Sequence, residues 1–439
     1  MGVNPAIQRC LDQWYPLIEH PKQIELVNAV SNGVRFPIVP AGRRSGKTIR
    51  AKRFIARNAM TNPGEMYFAA APTYQQAKRI WWSDLKKLTF SVKHLKPPSE
   101  SELIIYLPNE SQIHVVGLDK PARFEGIPWT GGVIDEIADI KGSAVNENIM
   151  PALNTVDPRR PDYRAWCWFI GVPDGLDHFY DMAEYAQTAN DPDWACYHWT
   201  SAEILPPEVI EAAKRTMSAR QYRQEYEASF EAASGRIYED YGTANLTDAT
   251  IQPHEQLCWM HDQNYTPLSS AVGVVRDGAL YLLGEIVLAS AVSRQSAEEF
   301  VERYAKHENK HVLIYGDPAG RAGEKHGQES AYTAMEDVLR NHGWKYTRKV
   351  KRAHPSIKDR QNQVRSKICN AMGERSLFVN PSLAPYCHKG LKTVQLKKGS
   401  TFLEEDSEEQ HITTAIGYMV DVEWPVNPMA MDINLRVAN

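Results

Sequence analysis

The sequence predicts an α/β protein that opens with a nucleotide-binding domain of the phosphate-loop kind, and three observations carry that expectation. Residues 41–48 read Ala41-Gly42-Arg43-Arg44-Ser45-Gly46-Lys47-Thr48, the phosphate-loop spacing with Ala41 in place of the usual first glycine. The loop follows a short apolar run, Phe36–Val39, that reads as a buried strand, and precedes Ile49–Met60, apolar at helical spacing. Farther on, Gly131-Gly132-Val133-Ile134 reads as a strand ending in two adjacent carboxylates, Asp135 and Glu136, 88 residues beyond Lys47.

Each part has a chemical reason. A glycine-containing turn lets successive backbone N–H groups converge on the β- and γ-phosphates of ATP, and Lys47 adds a positive charge there. Thr48 offers a hydroxyl to Mg²⁺, and the helix that follows points its positive end at the anion. Asp135 is placed to hold the Mg²⁺ shell and Glu136 to orient or deprotonate the attacking water, one acid for each task at a strand's end. Upstream, Gln23 in His20-Pro21-Lys22-Gln23 is a candidate reader of the adenine edge or a helix cap. Between the motifs, Met66–Ala71 reads as a strand and Pro72-Thr73-Tyr74-Gln75-Gln76 opens the next helix. Trp166–Val172 is a further strand, ending in Pro173-Asp174-Gly175, where a γ-phosphate sensor is expected.

Composition sets bounds on the rest. A chain of 439 residues is long enough for two domains, each with its own core. The net charge of −4 gives no global basic field, so any DNA-binding surface must be local. Six cysteines are dispersed without C-x-x-C spacing, which speaks for reduced thiols and against a zinc site. No apolar stretch of about 18 residues and no signal-peptide pattern is present, so a chain neither membrane-spanning nor secreted is expected.

With these residues in place the chain resembles the large terminase subunit of tailed bacteriophages, the motor and nuclease that packages viral DNA. The likeness runs from about residue 20 to about residue 425. It includes Arg43 inside the phosphate loop, Arg123-Phe124-Glu125-Gly126 ahead of the acid pair, and Gln221–Phe230 before a small-residue linker, Ala232-Ala233-Ser234-Gly235. The resemblance implies an ATPase of the RecA-like class over 1–235, a linker over 236–253, an RNase H-like nuclease over 254–425 and a flexible tail over 426–439. It also implies that Arg43 acts in cis on the γ-phosphate. Arg123 would be the arginine finger reaching a neighbouring subunit's ATP, or else a salt-bridge partner of Glu125 or Asp135. The implied partners are double-stranded viral DNA, a portal protein, a small terminase subunit and sister copies in a pentameric ring, in the host cytoplasm.

The C-terminal half has its own pattern. Leu257–His261 leads to Asp262, and Ser270–Val275 and Leu280–Ile286 read as a β-hairpin around Arg276-Asp277-Gly278. A third strand, His311–Tyr315, ends at Asp317. Asp262 and Asp317 would thus lie near adjacent strand ends, able to bind Mg²⁺ or Mn²⁺, and two ions about 4 Å apart would suit phosphodiester cleavage. The resemblance calls for a His and an Asp three residues later on the last helix, on one face. His411 is present, but Thr414 takes the Asp position, leaving Asp406, Glu409 or Asp421 to complete the ligand set. Residues 341–367 hold nine Lys or Arg against one acid, Asp359, a candidate phosphate-neutralising surface or a solvated helix face. Two other classes share parts of this pattern. A helicase would need a second ATPase-like domain, and an assembly protein would not need Lys47, Asp135 and Glu136 together.

Overall fold

The computed structural model describes residues 20–154, 163–231, 235–262, 267–322, 329–398, 400, 402–425 and 433–438. The chain forms two compact units, Met1–Ile210 with Arg223–Ala232, and Glu211–Tyr222 with Ala233–Asn439.

In the first unit, helix α1 (Pro21–Ser31) leads to β1 (Phe36–Pro40), and the phosphate loop joins β1 to helix α2 (Lys47–Thr61). The strands that follow are β2 (Met66–Ala71), β3 (Lys96–Ser99), β4 (Ile104–Tyr106), β5 (Gln112–Gly117), β6 (Gly131–Ile134), β7 (Trp166–Gly171) and β8 (Trp194–Cys196). They form one sheet in the order β3-β4-β5-β2-β6-β7-β1-β8. Its β5-to-β8 part is parallel, and β3 and β4 close one edge antiparallel. All five residues of β1 and all six of β7 are buried, as expected of strands covered on both faces. Alternate side chains of β1 supply the two cores. Val39 packs with Ala51 and Ile55 of α2, while Phe36 and Ile38 pack with Phe124, Ile137 and Phe179 on the other face. Strand β7 lies between β1 and β6, so the phosphate loop and the acid pair leave the sheet at neighbouring ends.

The second unit contains β9 (Leu257–Asp262), β10 (Leu268–Arg276), β11 (Ala279–Leu288), β12 (His311–Gly316), β13 (Lys345–Lys351), helix α3 (Ile357–Ile368), β14 (Leu377–Val379), helix α4 (Gln410–Glu423) and β15 (Ile433–Ala438). The sheet order is β14-β11-β10-β9-β12-β13-β15. Strands β9, β10 and β11 are antiparallel neighbours, and β12 and β13 run parallel to β9. The expected hairpin forms between β10 and β11, with Asp277 and Gly278 at φ of 49° and 79°, the left-handed pair that a tight two-residue turn needs. Helix α4 packs on β9, β10 and β12, and also on α3.

The expected boundaries need three corrections. Residues 211–222 belong with the second unit, where Ser218 bridges to Asn370 and the Asn370 amide donates to the Arg215 carbonyl at 2.9 Å. Residues 236–253 are no free linker. Ile237, Tyr238 and Tyr241 are buried in the same core as Leu280, Leu282 and Val379, and the buried Asn245 amide donates to the carbonyls of Ile368 and Leu377 at 2.9 Å each. The small-residue segment Ala232–Ser234 lies outside the described residues. Within the expected flexible tail, Ile433–Ala438 pairs antiparallel with β13, giving that strand the backbone partners an edge would lack.

Candidate nucleotide and nuclease sites

The phosphate loop is held by its surroundings before any ligand is considered. The Ala41 N–H donates to the Gly171 carbonyl at 3.1 Å, Gly42 to Trp199 at 3.1 Å and Arg43 to Glu225 at 2.7 Å. A β-carbon on Gly42 would stand 2.5 Å from the Ser201 nitrogen and from the Tyr226 carbonyl, so only glycine fits there. Arg44 and Gly46 turn the loop with φ of 59° and 84°. The Ser45 carbonyl accepts from the Trp199 indole at 3.1 Å and from the Gln23 amide at 2.9 Å. Gln23 also accepts from Arg50 Nε at 3.2 Å, so its amide braces the loop from within the protein; it does not stand open towards a base.

The loop and the acid strand meet as the spacing requires. Thr48 Oγ1 donates to Asp135 Oδ2 at 2.7 Å, and the buried Lys47 reaches back to the Ala41 carbonyl at 3.5 Å. Thr48 and Asp135 are thus the residues that would hold Mg²⁺, which would supply positive charge against that of the phosphates. Burial raises the Asp135 carboxyl, with Lys47 and Thr48 opposing the rise. Burial and then the neighbouring Asp135 push Glu136 up to about 7, a value suited to a group that must take a proton near neutrality. Glu136 sits at φ 54°, a left-handed conformation that costs a non-glycine residue about 1 kcal/mol or more. Its backbone N–H donates to Asp135 Oδ1 at 3.0 Å.

The two arginines differ. Arg43 Nε pairs with Glu225 Oε2 at 2.6 Å, a partner 182 residues away that nothing in the local sequence signals. Arg43 remains close enough to Glu136 to favour its charged form. Arg123 is exposed on the short turn Pro121–Phe124. Among the described residues it pairs with neither expected acid: Glu125 accepts from Asn148, and Asp135 is engaged at Thr48.

In the second unit, register sets the acids side by side. Gly316 of β12 is level with His261 of β9, so Asp317 and Asp262 leave neighbouring parallel strands together. His411 Nδ1 lies 3.1 Å from Asp262 Oδ2, and that hydrogen bond raises the histidine. Asp317 accepts the Ala319 N–H at 2.7 Å and lies 3.4 Å from His354 Nδ1; burial raises its carboxyl, and Asp262 adds to the rise.

Among the described residues, none of the three acids expected to complete the ligand set is seen in contact with Asp262 or Asp317. Asp421 pairs with Lys351 at 2.6 Å and Glu409 with Lys389, while Asp406 is exposed. Thr414 accepts from Arg360. No cluster of three or more His, Cys, Asp or Glu among the described residues is gathered to hold a metal ion. The described donors are two carboxylates at neighbouring strand ends, with His411 tied to one of them.

The basic run also reads differently in three dimensions. Arg348 pairs with buried Glu336 at 3.3 Å, Lys349 with Glu423 at 2.7 Å and Lys351 with Asp421, while Arg365 Nε donates to the Ile237 carbonyl at 2.6 Å. With Arg360 that makes five of the nine cations engaged inside the unit. Sequence reasoning missed Glu225 and His354, and placed Arg360 only within the basic run. The pattern of small residues at 414 and 417 on α4 is the signal that could have pointed to Arg360.

Comparisons with known proteins agree over the first unit and the fold. The family described as terminase large subunit, T4likevirus-type, N-terminal, matches residues 38–240. The large terminase subunit of Escherichia phage T5 is 28% identical over 228 residues, 50% of this chain and 49% of that protein. That of Thermus phage G20c is 22% identical over 262 residues, 52% of each. The matches therefore span about half the length of these curated relatives. A large terminase structure from a thermophilic bacteriophage superposes with a TM-score of 0.57 over 96% of this chain and 99% of its own, at 17% identity. Its ADP complex gives 0.59 over 92% and 99%. By sequence over 38–240 the chain is similar to the N-terminal part of terminase large subunits, and over nearly all its length its fold is similar to that of a solved phage large terminase.

Proposed function

We propose that the chain is a DNA-packaging motor: an ATPase that drives double-stranded viral DNA into a procapsid, joined to a metal-dependent endonuclease that cuts concatemeric DNA. The observation that carries the motor half is the 2.7 Å approach of Thr48 to Asp135, beside a buried lysine and a carboxyl raised to about 7. Residues 41–48 cradle the triphosphate, and Lys47 meets its β- and γ-oxygens. Thr48 and Asp135 hold Mg²⁺. Glu136 takes a proton from the attacking water. Arg43, released from Glu225 or sharing it, offsets charge on the transferring phosphoryl group, and Arg123 does so for a neighbouring copy in the ring. For Gln23 to meet the adenine its bonds to Ser45 and Arg50 must be exchanged; bracing the loop is the role its geometry favours.

In the second unit Asp262 and Asp317 hold Mg²⁺ or Mn²⁺, which would activate water and stabilise the leaving oxygen, with His411 orienting Asp262. A portal protein, a small terminase subunit and a pentameric ring are the partners this role entails, in the host cytoplasm. No described helix is long and apolar enough to cross a membrane. The test pairs two assays on one preparation: ATP hydrolysis with and without double-stranded DNA, and plasmid nicking with Mn²⁺. Stimulated hydrolysis and Asp262-dependent nicking are expected. Hydrolysis without nicking would return the helicase reading, and neither activity would leave only an assembly role.

A further inference from the structure

Asp317 is anchored through its backbone as well as its side chain. The helix Ala331–Asn341 is capped by Ser330, whose hydroxyl accepts the Thr333 N–H at 3.1 Å, so the helix begins at a fixed residue. Tyr332, in its first turn, is fully buried, and its hydroxyl donates to the Asp317 carbonyl at 2.9 Å. That approach depends on Gly316, where a β-carbon would stand 2.6 Å from the Tyr332 oxygen. On its other side Asp317 accepts the Ala319 N–H with its carboxylate at 2.7 Å. Carbonyl and carboxylate of one residue are thus both held, which gives the side chain a fixed direction at the end of β12.

The tyrosine is itself braced from behind. Glu336 follows it by four residues, on the same face of the helix. Glu336 is entirely buried, lies 3.3 Å from Arg348 of β13 and accepts the Tyr346 hydroxyl at 3.2 Å. The Arg348 guanidinium lies 5.4 Å from the centre of the Tyr332 ring. A buried ion pair adds little stability over apolar residues, because desolvation offsets the attraction, but separating it strands a charge in the core. Glu336 and Arg348 therefore tie the helix to β13 at one setting, and Tyr332 carries that setting to β12. We propose that Tyr332 is a positioning residue of the nuclease centre: through the Asp317 carbonyl it sets the direction in which the Asp317 carboxylate meets a divalent ion. The inference rests on the nuclease reading above and adds to it a residue that acts through Asp317 alone.

The test is Tyr332→Phe, which keeps the ring and removes only the hydroxyl. Mn²⁺ binding to the full chain without nucleotide is measured by electron paramagnetic resonance, and the component that Asp317→Asn removes is assigned to this centre. Tyr332→Phe should weaken that component about tenfold and raise the Mn²⁺ needed for half-maximal plasmid nicking in step, while nicking at saturating Mn²⁺ stays within about threefold of wild type. The control is Tyr241→Phe, which removes another buried phenol bond of the same unit, to His388 at 2.9 Å. It should leave Mn²⁺ binding unchanged. Wild-type Mn²⁺ affinity in a folded Tyr332→Phe would overturn the inference, and so would equal weakening in Tyr241→Phe, which would mark a general loss of stability. Either result, with nicking still dependent on Asp317, leaves the nuclease reading standing. If Asp317→Asn removes no Mn²⁺ and the wild type does not nick, that reading falls and takes the inference with it.

Discussion

Glu136 joins an unusual backbone conformation to a carboxyl raised to about 7, and this gives two measurable consequences. As a proton acceptor it must be ionised, so kcat/KM for ATP should fall about tenfold per unit as pH drops below about 7. Glu136→Gln should bind nucleotide yet hydrolyse it about 10²- to 10⁴-fold more slowly, with that acid limb gone. The stability effect has the opposite sign. The native state favours the protonated carboxyl, so the fold holds a proton that the unfolded chain releases above its ordinary 4.5. Stability of the nucleotide-free chain is therefore lost as pH rises from 4.5 to about 7, by about 3 kcal/mol at about 1.4 kcal/mol per unit. Thermal melts across pH 4.5–8 check this, and wild-type and Glu136→Gln curves that run parallel would sink it. Lys47→Ala, removing the buried ammonium beside the acid pair, should abolish hydrolysis outright in the same assay. Among single residues, those in spaced motifs were legible: 41–48, Asp135 and Glu136 are short-range patterns whose chemistry dictates their order. Glu225 and Arg360 were not, because each meets its partner, 182 and 54 residues away, only through packing.

At the scale of elements, strands declared themselves by apolar runs, and the hairpin by its Asp-Gly turn, because both signals are local. The basic segment was harder to read for the opposite reason. Its cations sit on β13 and α3, whose partners Glu336, Glu423 and Asp421 come from other helices, and a one-dimensional charge count cannot see ion pairs formed across layers. The seam between α3 and α4 is testable. Gly417→Ala places a methyl against the stem of Arg360 and should destabilise the second unit by about 1–3 kcal/mol, read from urea unfolding. Arg360→Ala should remove most of that added penalty, because the two changes share one volume and are not additive. Equal penalties with and without the arginine stem would mean that something else crowds Gly417.

For the whole molecule, the role proposed for the exposed Arg123, which pairs with neither expected acid among the described residues, requires copies of the chain to associate. Mixing Arg123→Ala with Glu136→Ala subunits, each inactive alone, should restore part of the hydrolysis, because some sites then combine an intact Glu136 with a neighbour's intact Arg123. Mixed assemblies of verified size that stay inactive would assign Arg123 a role within its own chain. The division into units carries a different lesson, one for anyone dissecting the protein with a protease or a shortened gene. The chain leaves the first unit at 211, returns at 223 and leaves again at 233, so no single cut separates the two. A fragment begun at 233 would lack the Arg215 carbonyl that the Asn370 amide donates to and the Lys214 and Met217 carbonyls that accept the Ala371 N–H. Such a fragment should prove less soluble and less stable than one begun at 211, whatever its catalytic residues, because it starts life with a frayed edge.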